Sequence, residues 1–462
     1  MRSDHRHKKH GPVSYFFACC LPEDWFTNEH ISCSRLDETN ANSRRLPRLP
    51  GDPETFMRFA GWIVFPALTF AMLLSISRSA FSEDKGFFLY AGTYTGFKYI
   101  SHGNPVSGSH SEGIYVSRFQ ASTGDVTEAQ LAAKISNPSF LAVSPDHRFL
   151  YAASEDPLSV GPARDHESYV SAYAIDRKTG KLRLLNSVPS GGTSTCYLSV
   201  DKTGKYVLTA SFGSGSISIL KVRRDGSLGE QASFVQHIGH SGNQTQAHPS
   251  SSDVSPDNRF VSVADLGLDK VLIYHFDPVT GALSPLEPAF ASVPAGSGPR
   301  HFIFDAAGKH AYLMNELTDV VTVYAWDSGQ GTLTNLQDVS TELPDYVGTN
   351  HTAEIAISPN GKFLYQSNRR LRKDDVRGPD TIGVFAIDSE KGTLTPVEQS
   401  PTGGIMPRSF AIDPTGKYLL AANEVTNNIV VFALNQATGK LSKTGKEIKV
   451  DTPVCLQFVP AR

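Results

Sequence analysis

The chain has only five cysteines in 462 residues and no excess of charge of either sign: 43 Lys and Arg stand against 46 Asp and Glu. The balance argues against a nucleic-acid footprint or a polyacidic tail. Three of the cysteines (Cys19, Cys20, Cys33) lie within the first 56 residues, and beyond residue 82 only Cys196 and Cys455 remain. One disulfide is therefore the most the body can hold, and the fold does not rest on cysteine staples. Sustained helical periodicity is missing, as is a G-x-S-x-G nucleophile elbow. Long apolar runs are missing too, with one exception.

That exception is MRFAGWIVFPALTFAMLLSISRSAFSED, from Met57. It has a basic start at Arg58, an apolar run over 59–76, and small residues at Ala80 and Ser82 before an acidic segment, the plan of a secretory signal. On this reading Met57 is the true start and 1–56 is a mis-started or disordered extension. With Met1 as the start, the run of about 18 residues is long enough for a signal anchor, and the basic RRLPR before it stays in the cytoplasm. A buried core helix is the plain alternative. The two signal readings both export 83–462, to the periplasm or outside the cell, with any membrane contact confined to 59–76.

What is abundant is turn chemistry: 38 Gly and 28 Pro, many in turn-like places. Twelve-residue segments align without gaps: SPDHRFLYAASE (144–155), DKTGKYVLTASF (201–212), SPDNRFVSVADL (255–266), DAAGKHAYLMNE (305–316), SPNGKFLYQSNR (358–369) and DPTGKYLLAANE (413–424). Each is a tight turn running into a strand. A second marker recurs after an alternating run: TGD (123–125), TGK (179–181), DGS (225–227), TGA (280–282), QGT (330–332), KGT (391–393) and TGK (438–440). Seven markers at this spacing fit seven four-stranded blades. FFLYAGTY (87–94) matches the end of the segment but lacks a turn before it, whereas TPVCLQFVP (452–460) resembles NPSFLAVSP (137–145). The C-terminal strand is thus expected to complete the first blade. That closes an all-β seven-bladed β-propeller over 83–462 and leaves no open sheet edge.

In such a blade the start of the innermost strand and the end of the second meet at one mouth of the channel. One column there reads Tyr94, Glu155, Phe212, Leu266, Glu316, Arg369 and Glu424. The column beside it, from Thr93 to Asn423, is small and polar and suits backbone capping. The inner strands start with Asn137, Ser194, His248, Gly298, His351, Met406 and Pro453. Next come Ser139, Cys196, Ser250, Arg300, Ala353, Arg408 and Cys455, and then a column containing His301 and Glu354. A charge-paired channel lining is the plain reading of these residues. Three arginines converging on one concave face also read as an anion site. Insertions at 95–113, 156–168 and 370–380 rise at the same mouth, where function is commonly carried. DLGLD (265–269) offers two carboxylates to a metal, but loop aspartates more often make turns. No cofactor is expected.

GPRHFIFDAAGKHAYLMNEL, SPDNRFVSVADLGLDKVLIYHFD, SPNGKFLYQSNR and MPRSFAIDPTGKYLLAANE resemble the seven-bladed propeller lactonase family over about 87–460. That family includes propeller-type 6-phosphogluconolactonases and the fungal carboxymuconate cyclases. The cyclase branch implicates a His, two Arg and a Glu, whose matching positions are His248, Arg300, Glu316 and Arg369. The resemblance implies hydrolysis of a sugar lactone, or of another acidic cyclic ester, to its open-chain acid, and the mixed Arg/Glu/His mouth points to hydrolysis without a metal. Glu316 or His248 would serve as base, and Arg300 would stabilise the oxyanion. Arg369, Arg408, His301, His351 and Glu354 would hold the substrate. Two alternatives stand beside it: a non-catalytic binding propeller, and a cycloisomerase that forms a lactone from a muconate-like acid.

Overall fold

The computed structural model describes residues 86–461 apart from 96–99, 102–103, 106–107, 156–166, 343–345, 347 and 371–377. The expected signal segment lies outside the described residues. Among the described residues no helix is long and apolar enough to cross a membrane.

Seven antiparallel blade sheets follow one another, six of them four-stranded meanders, and a two-stranded pair, Ile100–Ser101 with Asn104–Pro105, lies apart from them. Blade 2 runs Pro138–Val143, Phe149–Ser154, Tyr169–Ile175 and Leu182–Pro189 from the channel outward. Blades 3 to 7 repeat this plan, starting at Thr195, Pro249, Pro299, Asn350 and Pro407. Blade 1 is assembled from both ends of the propeller. Pro453–Pro460 pairs with Gly86–Thr93, from Phe87 opposite Pro460 to Thr93 opposite Pro453. The ring is closed as the sequence predicts, and Gly86–Thr93 is paired on both of its edges.

The two recurrent sequence markers hold neighbouring blades together. A tyrosine hydroxyl on the second strand donates to the carbonyl of the next blade's marker glycine: Tyr90 to Gly180 at 2.9 Å, Tyr312 to Gly392 at 3.0 Å and Tyr365 to Gly439 at 2.8 Å. At the closure the same place shows why the marker is glycine. A Cβ on Gly124, whose φ is +71°, would sit 2.4 Å from the Tyr418 ring. Between the blades, side chains such as Phe88, Leu141, Tyr151, Phe302 and Leu364 are buried. Each stabilises the fold by about 1.5–3 kcal/mol.

The innermost strands carry the irregularity that shapes the mouth. Asn137, Ser194, Gly298, Met406 and Thr452 enter these strands in the left-handed region, with φ between +42° and +67°. A β-bulge follows, leaving Ser139, Cys196, Ser250, Arg300 and Arg408 out of the ladder. A bulged residue leaves the pleat's alternation and is re-aimed. The same bulge corrects the expected columns in blade 1. Gly92 pairs with Cys455 and Thr93 with Pro453, so Val454 is the bulged residue. Thr452, whose carbonyl accepts the Tyr94 amide, takes the place expected for Pro453. Cys455 therefore belongs to the next layer, with His301 and Glu354.

Candidate active site

The strand ends need capping before they can carry anything else, and the small polar column supplies it. Thr195 Oγ1 and Ser211 Oγ lie 2.8 Å apart, Asn315 Nδ2 donates to the Val320 carbonyl, and Asn368 Nδ2 donates to that of Thr341. Asp265 does the most. Its Oδ1 accepts the amides of His248, Gly267 and Leu268 at 2.8–3.1 Å, and its Oδ2 lies 2.6 Å from His237 Nδ1. Asp269 accepts the amides of Gly296 and Gly298. Both carboxylates of DLGLD are thus committed to turns.

The column beyond the caps bears the charges. Arg300 Nη1 donates to Glu316 Oε2 at 3.1 Å, while its Nε donates to the Ala353 carbonyl at 2.8 Å. Glu316 Oε1 accepts Arg369 Nη2 at 2.7 Å, and His351 Nδ1 stands 3.6 Å from the same oxygen. Arg369 also donates to the carbonyls of His351 and Thr352. The side chain of Arg369 is 0 % exposed. Burial pushes its guanidinium down to about 10, and Glu316 opposes that shift; the group stays charged at neutral pH. Sequence reasoning assigned Arg369 to the substrate. In the structure it is enclosed and ion-paired with Glu316.

Arg408 occupies the corresponding place across the mouth. Its Nη2 is 3.7 Å from Glu155 Oε2, its guanidinium lies 5.4 Å from the Tyr94 ring centre, and the Tyr94 hydroxyl donates to Glu155 at 3.1 Å. Glu155 and Glu424 share Glu316's column, which is the signal in the sequence for carboxylates at this level.

His248 immediately precedes the inner strand of blade 4, Pro249–Val254. Its ring stacks on Phe212, with centroids 4.3 Å apart and planes 17° apart. Nδ1 lies 2.8 Å from the Phe212 carbonyl, which only an N–H can satisfy. The proton therefore sits on Nδ1, and Nε2 is the acceptor nitrogen. Its backbone is fixed by Asp265, which is in turn held by His237, whose Nε2 lies 3.0 Å from the Tyr274 hydroxyl. This buried Tyr–His–Asp chain is invisible in the sequence, where VQHIGH reads as an ordinary polar loop.

His301 and Glu354 lie one layer deeper. Their contact is 3.0 Å, and Glu354 also accepts the Ile355 amide. The His301 ring lies 5.1 Å from that of Tyr197, which stacks on Phe140 at 4.3 Å. Burial lowers the pKa of His301. Phe140, Tyr197 and Glu354, with Asp253 and Cys455, line a cavity of about 340 Å³ farther along the channel. Burial raises Asp253 to about 7, with Glu354 adding to the shift and Tyr197 and Lys202 opposing it. Cys196 and Cys455 are both reduced, and burial pushes both thiols up to about 12. Neither can supply a thiolate nucleophile near neutral pH.

Comparison with known proteins follows this geometry. The sequence model of a family described as "Lactonase, 7-bladed beta-propeller" matches residues 88–458. A 6-phosphogluconolactonase of Bacillus subtilis is 33% identical over 364 residues, covering 78% of this chain and 99% of the relative. A 6-phosphogluconolactonase of Formosa agariphila is 36% identical, covering 75% of this chain and 95% of its own length. Among solved structures, the periplasmic gluconolactonase of Pseudomonas aeruginosa superposes with a TM-score of 0.72 at 32% identity, covering 82% of this chain and all of that one.

Proposed function

The chain belongs to the seven-bladed β-propeller lactonase family, and from that premise we propose that it hydrolyses a sugar lactone at the channel mouth without a metal ion. The observation that carries the reading is the chain Arg300–Glu316–Arg369, with His248 in the neighbouring blade, where Nε2 is left as its acceptor nitrogen. The relatives named 6-phosphogluconolactonase supply the reaction class.

A lactone is a cyclic ester, so opening it needs a base for water and donors for the oxyanion. His248 Nε2 takes a proton from water as the oxygen attacks the carbonyl carbon. Arg300 donates to the carbonyl oxygen as it becomes an oxyanion. Collapse breaks the ring C–O bond, and the imidazolium returns its proton to the departing alkoxide. The product is the hydroxy acid. Both oxygens of Glu316 are engaged by arginines, so it serves to orient Arg300 rather than to accept the proton. Among the described residues, no group of three or more His, Cys, Asp and Glu side chains is arranged to hold a metal ion, and the chelator arm of the test below decides whether a metal takes part. Export of the propeller fits the signal-like residues 57–82 and the periplasmic neighbour.

The test is proton release from glucono-δ-lactone and 6-phosphogluconolactone, with and without chelator and with spontaneous hydrolysis subtracted. Turnover indifferent to chelator, and lost in Arg300→Ala with the circular dichroism spectrum intact, is the expected result. Wild-type rates in both Arg300→Ala and Glu316→Gln would sink the assignment.

A further inference from the structure

The charges of the mouth speak to the charge of its substrate. Three guanidinium groups lie at its strand ends, those of Arg300, Arg408 and the enclosed Arg369, and the same strand ends carry three carboxylates, Glu155, Glu316 and Glu424. Among the described residues the count is three against three, a net of zero. The pairing is spatial as well as numerical. Arg300 and Arg369 both meet Glu316, Arg408 faces Glu155, and the field of Glu424 reaches Arg369. The next pair outward, Arg370 with Glu342 at 2.8 Å, is balanced too.

A phosphate dianion entering such a site would lose its hydration and find no surplus cation among the described strand-end residues to replace it. It would have to take a guanidinium from its carboxylate, leaving that carboxylate charged and poorly solvated. Arg369 is closed to it by enclosure, and Glu155 stands beside Arg408 as a like charge. The backbone offers no substitute, because the described mouth is built from strand ends and not from a helix N-terminus, where backbone amides cradle phosphates. A neutral polyhydroxy lactone meets no such penalty. Its hydroxyls can donate to carboxylates and its oxygens accept from guanidinium groups, and alternating Arg and Glu around one rim offer that mixture.

We infer that this mouth selects uncharged sugar lactones over their phosphate esters. The inference rests on the reading of the mouth as the lactone-hydrolysing site. Of the two readings the sequence offered for these residues, it favours the charge-paired lining over the anion site, because the described carboxylates meet the arginines.

The purified full-length protein decides the matter with two substrates, glucono-δ-lactone and 6-phosphoglucono-δ-lactone, compared by kcat/KM. At least a tenfold advantage for the neutral lactone is expected. Glu155→Gln and Glu424→Gln each leave one positive charge in surplus, so in whichever of the two folds the preference should shrink several-fold, through a gain on the phosphate ester. Equal or better turnover of the phosphate ester by the wild type overturns the inference while leaving the lactonase reading intact. An unchanged preference in both variants overturns it as well, since charge balance would then not be the selector. No turnover of either lactone defeats the lactonase reading and this inference with it.

Discussion

Arg369 lies wholly behind Glu316, with Nη2 2.7 Å from Oε1, and the other oxygen of the same carboxylate holds Arg300. One carboxylate thus joins an enclosed guanidinium to one that reaches the mouth. Glu316→Gln would leave Arg369 a buried charge without a counter-charge. The expected cost is about 3–5 kcal/mol of stability, read from urea unfolding. The activity loss should be on the order of 10²–10³-fold, because Arg300 loses its orientation. A variant of unchanged midpoint and rate would show that the pair is incidental.

His248→Ala should lower kcat by about 10²- to 10⁴-fold, the usual contribution of a positioned base. Its side chain is stacked on Phe212 at the rim rather than packed in a core, so thermal unfolding should move little. Retention of wild-type kcat would transfer the base role elsewhere in the mouth.

The Tyr274–His237–Asp265 chain holds the backbone amide of His248, which makes His237 a positioning residue. His237→Ala should depress kcat about tenfold with little change in KM, since only the base is misplaced. His237→Gln, which can still donate to Asp265, should recover part of the loss. Equal loss in both variants, tracking loss of folded protein, would reduce His237 to a structural part.

Asp253 gives stability a pH dependence of predictable sign. Its pKa rises on folding from the model-peptide range to about 7 because of burial. The folded state therefore binds this proton more tightly than the unfolded chain does. The carboxyl costs nothing below about pH 4, costs progressively more from about pH 4 to 7, and costs its full amount above that. Asp253→Asn should raise the melting temperature over wild type clearly at pH 8 and hardly at pH 4. An equal gain at both pH values would assign the effect to packing rather than ionisation.

Removing residues 453–462 takes away the inner strand of blade 1 and exposes Gly86–Thr93 as an edge. The truncated chain should aggregate or lose cooperative unfolding, seen by size-exclusion chromatography and thermal circular dichroism. A monomer that unfolds in one sharp step would mean that the ring does not depend on its closure.

Much of this was legible in the sequence because it repeats. Six aligned turn-and-strand segments and seven glycine markers carry the blade plan, and TPVCLQFVP carries the closure. The capping role of the small polar column was legible as well, since short polar side chains at strand ends have few other uses. The bulge was not. It follows a left-handed residue in five of the seven blades, and the residues at that point (Ser139, Cys196, Ser250, Arg300, Ala353, Arg408, Val454) share no chemistry that would mark it. That is why Pro453 and Cys455 were each placed one position off in blade 1.

By itself, then, the sequence determined the number of blades and the closing strand. These follow from local alternation and turn chemistry, which act within a few residues and recur. Which charge meets which was decided only by the tertiary structure. Arg369 and Glu316 are 53 residues apart and come from different blades, and Arg408 reaches Glu155 past blade 1. Burial and pairing depend on the ring's curvature and on the bulges that aim each side chain, and neither is written in any single blade's sequence.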